Sequence, residues 1–302
     1  MTIKDNYDLI MISTCINHDH IYNLLESIKN NVLIKNLVIL INQNNTEINF
    51  KNDDYNVIEV ININSKVNSS IARNIGIEYI INNKIVSSFV CYPDDDSSFD
   101  KNYFIKLKDL ILKDQITCYI TDLYCSDKEG LFREVNLPNY TKLTKSNFNI
   151  VGAVNILVSF NVFQEIGFYD ERFGVNALYG AGEDGDYYLR GLQYSEFLYT
   201  KDIFSFHPSG HDKLKELSYK NKRKKLNNYG KGVMALLNKH KMYKESLIMV
   251  FRAIGGVVFS FSKFQFTLGI AYFEAFFVRL VYLFLYFIKP IKYINTNFNS
   301  NI

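Results

Sequence analysis

Tryptophan is absent from this chain of 302 residues, although tyrosine (22) and phenylalanine (24) are plentiful. Cysteine is scarce. The four present, Cys15, Cys91, Cys118 and Cys125, show no metal-type spacing, which argues against a thiolate zinc site. Three of them sit in apolar or strand-like runs, as buried thiols do. No secretory leader is expected either. Met1-Thr-Ile-Lys-Asp-Asn runs directly into a strand, so a reducing, cytosolic location is expected. A surplus of one charge is lacking overall, since the net charge is +3. That balance hides an asymmetry: from Asp212 to Arg252 there are 12 Lys and Arg against 3 Asp and Glu, a net of +9, leaving −6 for the rest. A mildly acidic body with a basic later segment points to an anionic partner, a membrane surface or a nucleic acid. The chain is 48% hydrophobic and 22% charged, a globular balance, and long enough for one large or two modest domains.

What is present begins with alternating strands and helices. Tyr7–Ser13 reads as a buried strand ending at Thr14-Cys-Ile-Asn17, and a helix follows over 18–30 with Ile21, Leu24, Leu25 and Ile28 at helical spacing. A second buried strand is expected at Asn36–Ile41, ending at Asn42, and a third strand at Val57–Ile63, leading into a polar loop. A helix follows at Ile71–Ile80, with Ser69 or Ser70 as its cap. Arg73 and Asn74 then fall in its first turn, where the positive end of the helix and an arginine suit a diphosphate, and Gly76 permits close packing on the sheet. The order implies an α/β fold with a mostly parallel sheet, polar residues such as Thr14 and Asn42 gathering at the carboxyl edge where ligands bind.

The strand Ile85–Tyr92 runs into Pro93-Asp94-Asp95-Asp96-Ser97. At a spacing of ~4 Å, two carboxylates repel by roughly 1 kcal/mol in bulk water and about 4 kcal/mol at an intermediate dielectric. A divalent metal carrying phosphates is the usual compensation. The plainer reading is a solvated acidic turn capping the next helix through Ser97, Ser98 or Asp100. That helix is expected over 100–113, followed by a strand at 115–124, a hairpin return at 131–135, an extended run at 150–159 and a short helix at 161–166. A Gly-rich loop then delivers Glu183, Asp184 and Asp186 to a helix start. Capping explains one carboxylate there, not three, and a general base for a hydroxyl is the functional reading.

Ser70-Ile-Ala-Arg-Asn-Ile-Gly, then Tyr-Pro-Asp-Asp-Asp-Ser, then Asp-Glu-Arg-Phe-Gly followed by Gly-Ala-Gly-Glu-Asp, resembles family-2 glycosyltransferases of the GT-A fold, of the surface-polysaccharide type. The resemblance spans about 7–211. It implies that Asp94 and Asp96 form an Asp-x-Asp motif holding Mn2+ or Mg2+, with Asp94, Asp95, Arg73, Thr14 and Asn42 on the nucleotide-sugar side. It makes Asp184 the base of an inverting transfer, with Glu183 orienting the acceptor or the loop. It also suggests His207 as a third metal ligand, His211 being the weaker candidate. Two departures stand out. Asn42 occupies a place commonly held by a base-binding Asp, and the Gln-x-x-Arg-Trp signature of processive synthases is missing, which favours one transfer per acceptor.

The expected division is a GT-A domain at 1–212, with a donor half to about 100 and an acceptor half beyond it, and a basic, apolar helical tail at 213–302. The tail opens at Lys220-Asn-Lys-Arg-Lys-Lys225, with a helix expected from about Lys231 and a 23-residue apolar run at Phe266–Ile288. In that run Glu274 and Arg279 cost about 5–7 kcal/mol at mid-membrane against roughly 5–8 kcal/mol returned by the apolar residues. Helices lying in the interface, held by basic residues, are therefore favoured over a span, and a buried soluble hairpin is the alternative. The expected partners are a UDP-sugar, a saccharide or lipid-linked saccharide acceptor and the inner face of the cell membrane. An oligomer is compatible with the sequence. A nucleic-acid-binding protein would account for the basic segment but not for the carboxylate clusters, which repel phosphate. An inactive sugar-binding scaffold would not need Glu183-Asp184.

Overall fold

Asn6–Cys15 forms β1, and its side chains alternate between two buried faces. Leu9, Met11 and Cys15 join a core cluster with Ile21, Leu24, Leu25 and Ile28 of α1 (His18–Lys29). Ile12, on the opposite face, meets α2 (Ser69–Asn82): a Cβ added at Gly76 would lie 2.6 Å from Ile12 Cγ2, so the expected close approach is real. Helices thus cover both faces of the sheet, and each Leu or Ile so buried contributes roughly 1.5–3 kcal/mol. The computed structural model describes residues 6–29, 31–44, 46–209, 214, 216–294 and 296–298.

By its internal contacts the chain divides into two compact units, one of Met1–Tyr169, Tyr187–Ser209 and Thr296–Ile302, the other of Asp170–Asp186 and Gly210–Asn295. The first unit holds the sheet. After β1 come β2 (Asn36–Asn42), β3 (Asn56–Asn62), β4 (Val86–Cys91), β5 (Ser98–Phe99), β6 (Cys118–Cys125), β7 (Thr141–Lys142), β8 (Ile156–Ser159) and β9 (Phe197–His207). Their order is β3-β2-β1-β4-β8-β6-β9-β5, with β7 paired to β9. The four N-terminal strands are parallel, whereas β8 runs antiparallel to both β4 and β6, so the sheet is mixed. The helices α3 (Tyr103–Leu112) and α4 (Phe160–Ile166) complete this unit, while α5 (Glu183–Gly191) runs from residues of the second unit into the first.

Several sequence expectations shift. The acidic triplet does not cap α3; Ser98 and Phe99 form the short strand β5 instead, and Asn102 precedes the helix. The third strand is only partly buried, as suits the sheet edge. The return at 131–135 amounts to one bridge, Tyr124 to Leu131. The run 150–159 is extended only from Ile156, after 3-10 turns at Lys145–Ile150 and Ala153–Asn155.

The second unit holds α6 (Tyr219–Lys239), α7 (Tyr243–Ser262) and α8 (Phe266–Ile288). The first of these begins a full three turns before the position expected from sequence, with Ser218 accepting from the Asn221 N–H as its cap. Leu226 of α6 packs with Leu268, Ala271 and Ala275 of α8. Glu274 pairs with Arg223 and accepts from the Tyr219 hydroxyl at 2.6 Å, and Arg279 donates to the Met249 carbonyl. Glu274 is therefore paired by α6, whereas among the described residues Arg279 meets only a carbonyl of α7 and its buried Nε has no hydrogen-bond partner. The 18-residue apolar windows of α7 and α8 are each 22% buried, so most of their residues are not packed inside the chain, and by length and composition both helices could cross a membrane.

Candidate active site

Parallel register puts the carboxyl ends of β1, β2 and β4 at one edge of the sheet. The chain leaving β4 passes through Asp94–Asp96 into β5, whose Ser98 and Phe99 pair antiparallel with Phe206 and Ser205 of β9. This two-residue ladder brings Asp96, two positions before β5, to His207, the last residue of β9. The His207 Nε2 lies 3.1 Å from an Asp96 oxygen and 3.6 Å from an Asp94 oxygen. One donor atom from each of Asp94, Asp96 and His207 falls within 4.8 Å of the others, and all three side chains are half-buried. His211 lies outside the described residues.

The imidazole is prepared for this position. Its Nδ1 sits 2.8 Å from the Pro208 carbonyl, which can only accept, so Nδ1 carries the proton and Nε2 faces the carboxylates. Burial opposes charge on the ring, but Asp94 and Asp96 outweigh it and push the His207 pKa up to about 10. The acidic pair thus draws positive charge to itself. Two carboxylates and an imidazole are a donor set suited to Mn2+ or Mg2+, with the nitrogen favouring the former.

Asp95 behaves differently from its neighbours. One of its oxygens accepts from the N–H groups of Ile16 and Asn17 at 3.2 and 3.4 Å, clamping the loop after β1. Burial raises its pKa, opposed by those two bonds and reinforced by Asp96 and Asp94. Thr14 stands half-buried at the end of β1 opposite Ile41. Asn42 is fully buried. Its amide donates to the Thr46 carbonyl and to Asn62, both at 2.8 Å, and accepts from the Asn44 N–H, so it organises its own loop.

Arg73 is 5% exposed, with its guanidinium 3.4 Å from Asp94 and 5.3 Å from the centre of the Tyr169 ring; because α2 begins at Ser69 rather than Ile71, Arg73 and Asn74 fall in its second turn, not the first, and away from the helix's free N–H groups. The cap of that helix is Asn68, not Ser69 or Ser70: its side chain accepts from the Ile71 N–H at 2.9 Å. Asn74 holds Tyr169 in a two-way clamp, donating to its carbonyl at 3.1 Å and accepting from its N–H at 2.8 Å. Tyr169 in turn stacks on Tyr187, whose hydroxyl bonds that of Tyr92 at 2.7 Å. Sequence reading missed this tyrosine layer beneath Arg73; the one signal was the Arg-Asn pair itself.

In the second unit, Glu183 and Asp184 open α5, the former 9% exposed and the latter half-buried. Gly182 precedes them at φ +100°, a left-handed backbone that a side chain would strain. Asp186 is buried and bound at 2.7 Å by Lys239 and at 2.8 Å by His240, both from the end of α6. Lys239 also reaches Asp170 at 2.9 Å, and Arg172 binds Asp170 at 2.6 Å. The Asp-Glu-Arg-Phe-Gly stretch and the third acid of α5 are thus parts of one buried ion network, a role that spacing alone did not reveal.

Comparison with known proteins reveals likeness at the level of fold. No protein-family model matches the chain, and no curated protein matches it. Among solved structures, S. aureus TarS 1-349 aligns with a TM-score of 0.55 at 10% identity, over 95% of this chain and 93% of that one. The same protein in complex with UDP-GlcNAc aligns at 0.54 and 11%, over 95% and 94%. Against the longer TarS structure the TM-score is 0.53 at 10% identity, and the match covers 77% of this chain but 43% of that one, less than half its length. The mixed α/β architecture of this chain is GT-A-like.

Proposed function

We propose that this chain is a glycosyltransferase that moves a hexose from a nucleotide-sugar, a UDP-sugar by preference, to a hydroxyl of a surface polysaccharide or lipid-linked oligosaccharide at the inner face of the membrane. The observation that carries the reading is the convergence of Asp94, Asp96 and His207 within 4.8 Å at the carboxyl edge of the sheet, beside the buried cation Arg73. A buried guanidinium at the sheet's carboxyl edge can meet a diphosphate with two parallel N–H donors. TarS 1-349, alike in fold, has been crystallised with UDP-GlcNAc and with UDP. Asp94, Asp96 and His207 would hold Mn2+ or Mg2+, which when bound would neutralise charge on the diphosphate.

The chain's own residues supply the rest. Asp184 takes the proton of the acceptor hydroxyl while its oxygen bonds to the anomeric carbon. The bond from that carbon to the phosphate oxygen breaks, and its electron pair leaves with the nucleoside diphosphate, whose charge Arg73 meets. A single displacement of this kind inverts the anomeric configuration. Glu183 orients the loop, and Asp95 keeps the segment after β1 against the donor. The absence of tryptophan, and with it the processive signature, supports one transfer per acceptor.

The test is a screen of sugar nucleotides with Mn2+, followed by product release. Asp184→Asn should lower transfer by about 10²–10⁴-fold with donor binding retained, as for loss of a general base. Asp96→Ala should weaken Mn2+-dependent donor binding. Unchanged transfer by Asp184→Asn removes the base assignment, and no turnover of any sugar nucleotide removes the reading.

A further inference from the structure

The ring of Phe132 meets His207 edge-on, centroids 5.3 Å apart, and the same Phe132 lines a recess in the first unit. The recess is open on one side, and the non-atom space it spans, open solvent counted in, is about 360 Å³. Asp122 of β6 lines it and is 4% exposed. A carboxylate buried in that way costs several kcal/mol unless it is hydrogen-bonded. One of its oxygens accepts from the Tyr199 hydroxyl, and Lys201, 5.8 Å from the Tyr199 ring, adds positive charge nearby. Neither role in donor binding nor in the ion network of the second unit accounts for this group.

The wall opposite is preorganised. Asn155 accepts from the Gly152 N–H at 2.8 Å and donates to the carbonyls of Thr121 and Ile150, each at 3.1 Å. Gly152 itself is extended, at φ −140° and ψ 165°. A Cβ there would meet nothing nearer than Asn155 Oδ1 at 3.9 Å. The backbone does not require glycine at this position; what its missing side chain provides is room.

We propose that this recess is a subsite for a pyranose ring of the saccharide acceptor, Asp122 binding ring hydroxyls and Phe132 offering an apolar face; this deepens, and rests on, the glycosyltransferase reading. A carboxylate beside an aromatic ring suits a neutral polyol with one apolar face. Arg133, which also lines the recess and donates to the Asn149 carbonyl, balances the charge of Asp122, so the lining carries one charge of each sign and suits an uncharged polyol, whereas a wholly apolar ligand would leave both charged groups dehydrated without a new partner. Proximity through Phe132 to the Asp94, Asp96 and His207 group places the subsite beside the donor end.

The experiment titrates the wild-type chain, Asp122→Asn and Gly152→Phe with methyl glycosides of glucose, galactose, mannose and N-acetylglucosamine by ligand-observed NMR. The expected result is binding of at least one glycoside to the wild type, weakened about tenfold or more in both variants, since a lost charged hydrogen bond costs roughly 1.5–3 kcal/mol. Gly152→Phe tests the space without touching the carboxylate or straining the backbone. No binding of any glycoside to the wild type, or equal binding to Gly152→Phe, overturns the subsite. Hydrolysis of sugar nucleotides by the wild type, followed separately, decides the underlying reading: if it is absent while a glycoside still binds the recess, the transferase assignment fails and the sugar site stands.

Discussion

Lys239 has no exposed side-chain surface and lies between two buried carboxylates, Asp170 and Asp186, with Arg172 and His240 closing the network. Such a cluster is weak evidence for stability as a whole, but removing one member leaves uncompensated buried charge, at about 3–5 kcal/mol. Lys239→Met should therefore lower the urea midpoint by that equivalent, and a variant as stable as the wild type would show that the network relaxes freely. The same group fixes an acid sensitivity. Burial alone would raise the Asp170 pKa, but Arg172 and Lys239 overcome it and hold the carboxyl below its ordinary value of about 3.9. A depressed folded pKa means the contribution is fully present above the unfolded pKa and is lost as pH falls through the folded one. Urea midpoints should decline below about pH 4, and Asp170→Asn should flatten that decline; an identical pH profile for the variant would exclude Asp170 as its source. None of this was legible in the sequence, where Asp170 and Arg172 formed part of a motif and Lys239 one more cation in a basic stretch.

At the scale of elements, the periodicity of α1 and the unbroken apolar run of β2 named their buried residues directly, because burial against a sheet imposes those patterns. What periodicity missed was set by pairing across the chain. A strand of two residues, β5, has no pattern to read, yet its ladder with β9 places Asp96 beside His207. Gly76 was legible for the opposite reason: its missing side chain is local, and its neighbour Ile12 lies on the adjacent strand face. Gly76→Ala should cost about 1–3 kcal/mol by overpacking against Ile12 Cγ2. Ile12→Ala, though destabilising alone, should recover part of that cost in the double variant, giving a coupling energy of roughly 0.5–3 kcal/mol between touching residues. Strict additivity in a double-mutant cycle would mean the helix shifts away from the sheet instead.

At the scale of the whole molecule, charge and apolarity were legible as totals but not as faces. Counted along the sequence, Glu274 and Arg279 weigh against insertion of α8. In the folded chain Arg223 and Tyr219 bind Glu274, and Arg279 turns to the Met249 carbonyl, so both side chains point to neighbouring helices and the exposed side of the helix stays apolar. Phe251 of α7 is 63% exposed and Phe284 of α8 61%, while Lys220 and Lys224 of α6 are exposed cations. An apolar surface this extensive beside cations fits anionic lipid, with each cation near the surface contributing about 1 kcal/mol. The chain should therefore float with vesicles containing phosphatidylserine, and added salt should weaken the electrostatic share while leaving the apolar share. Phe251→Asp combined with Phe284→Asp should reduce flotation sharply with little change in the urea midpoint, because both side chains are already in water when the protein is free. Flotation of the double variant equal to that of the wild type would show that cations alone hold the chain to lipid, and would return α7 and α8 to a role within the protein.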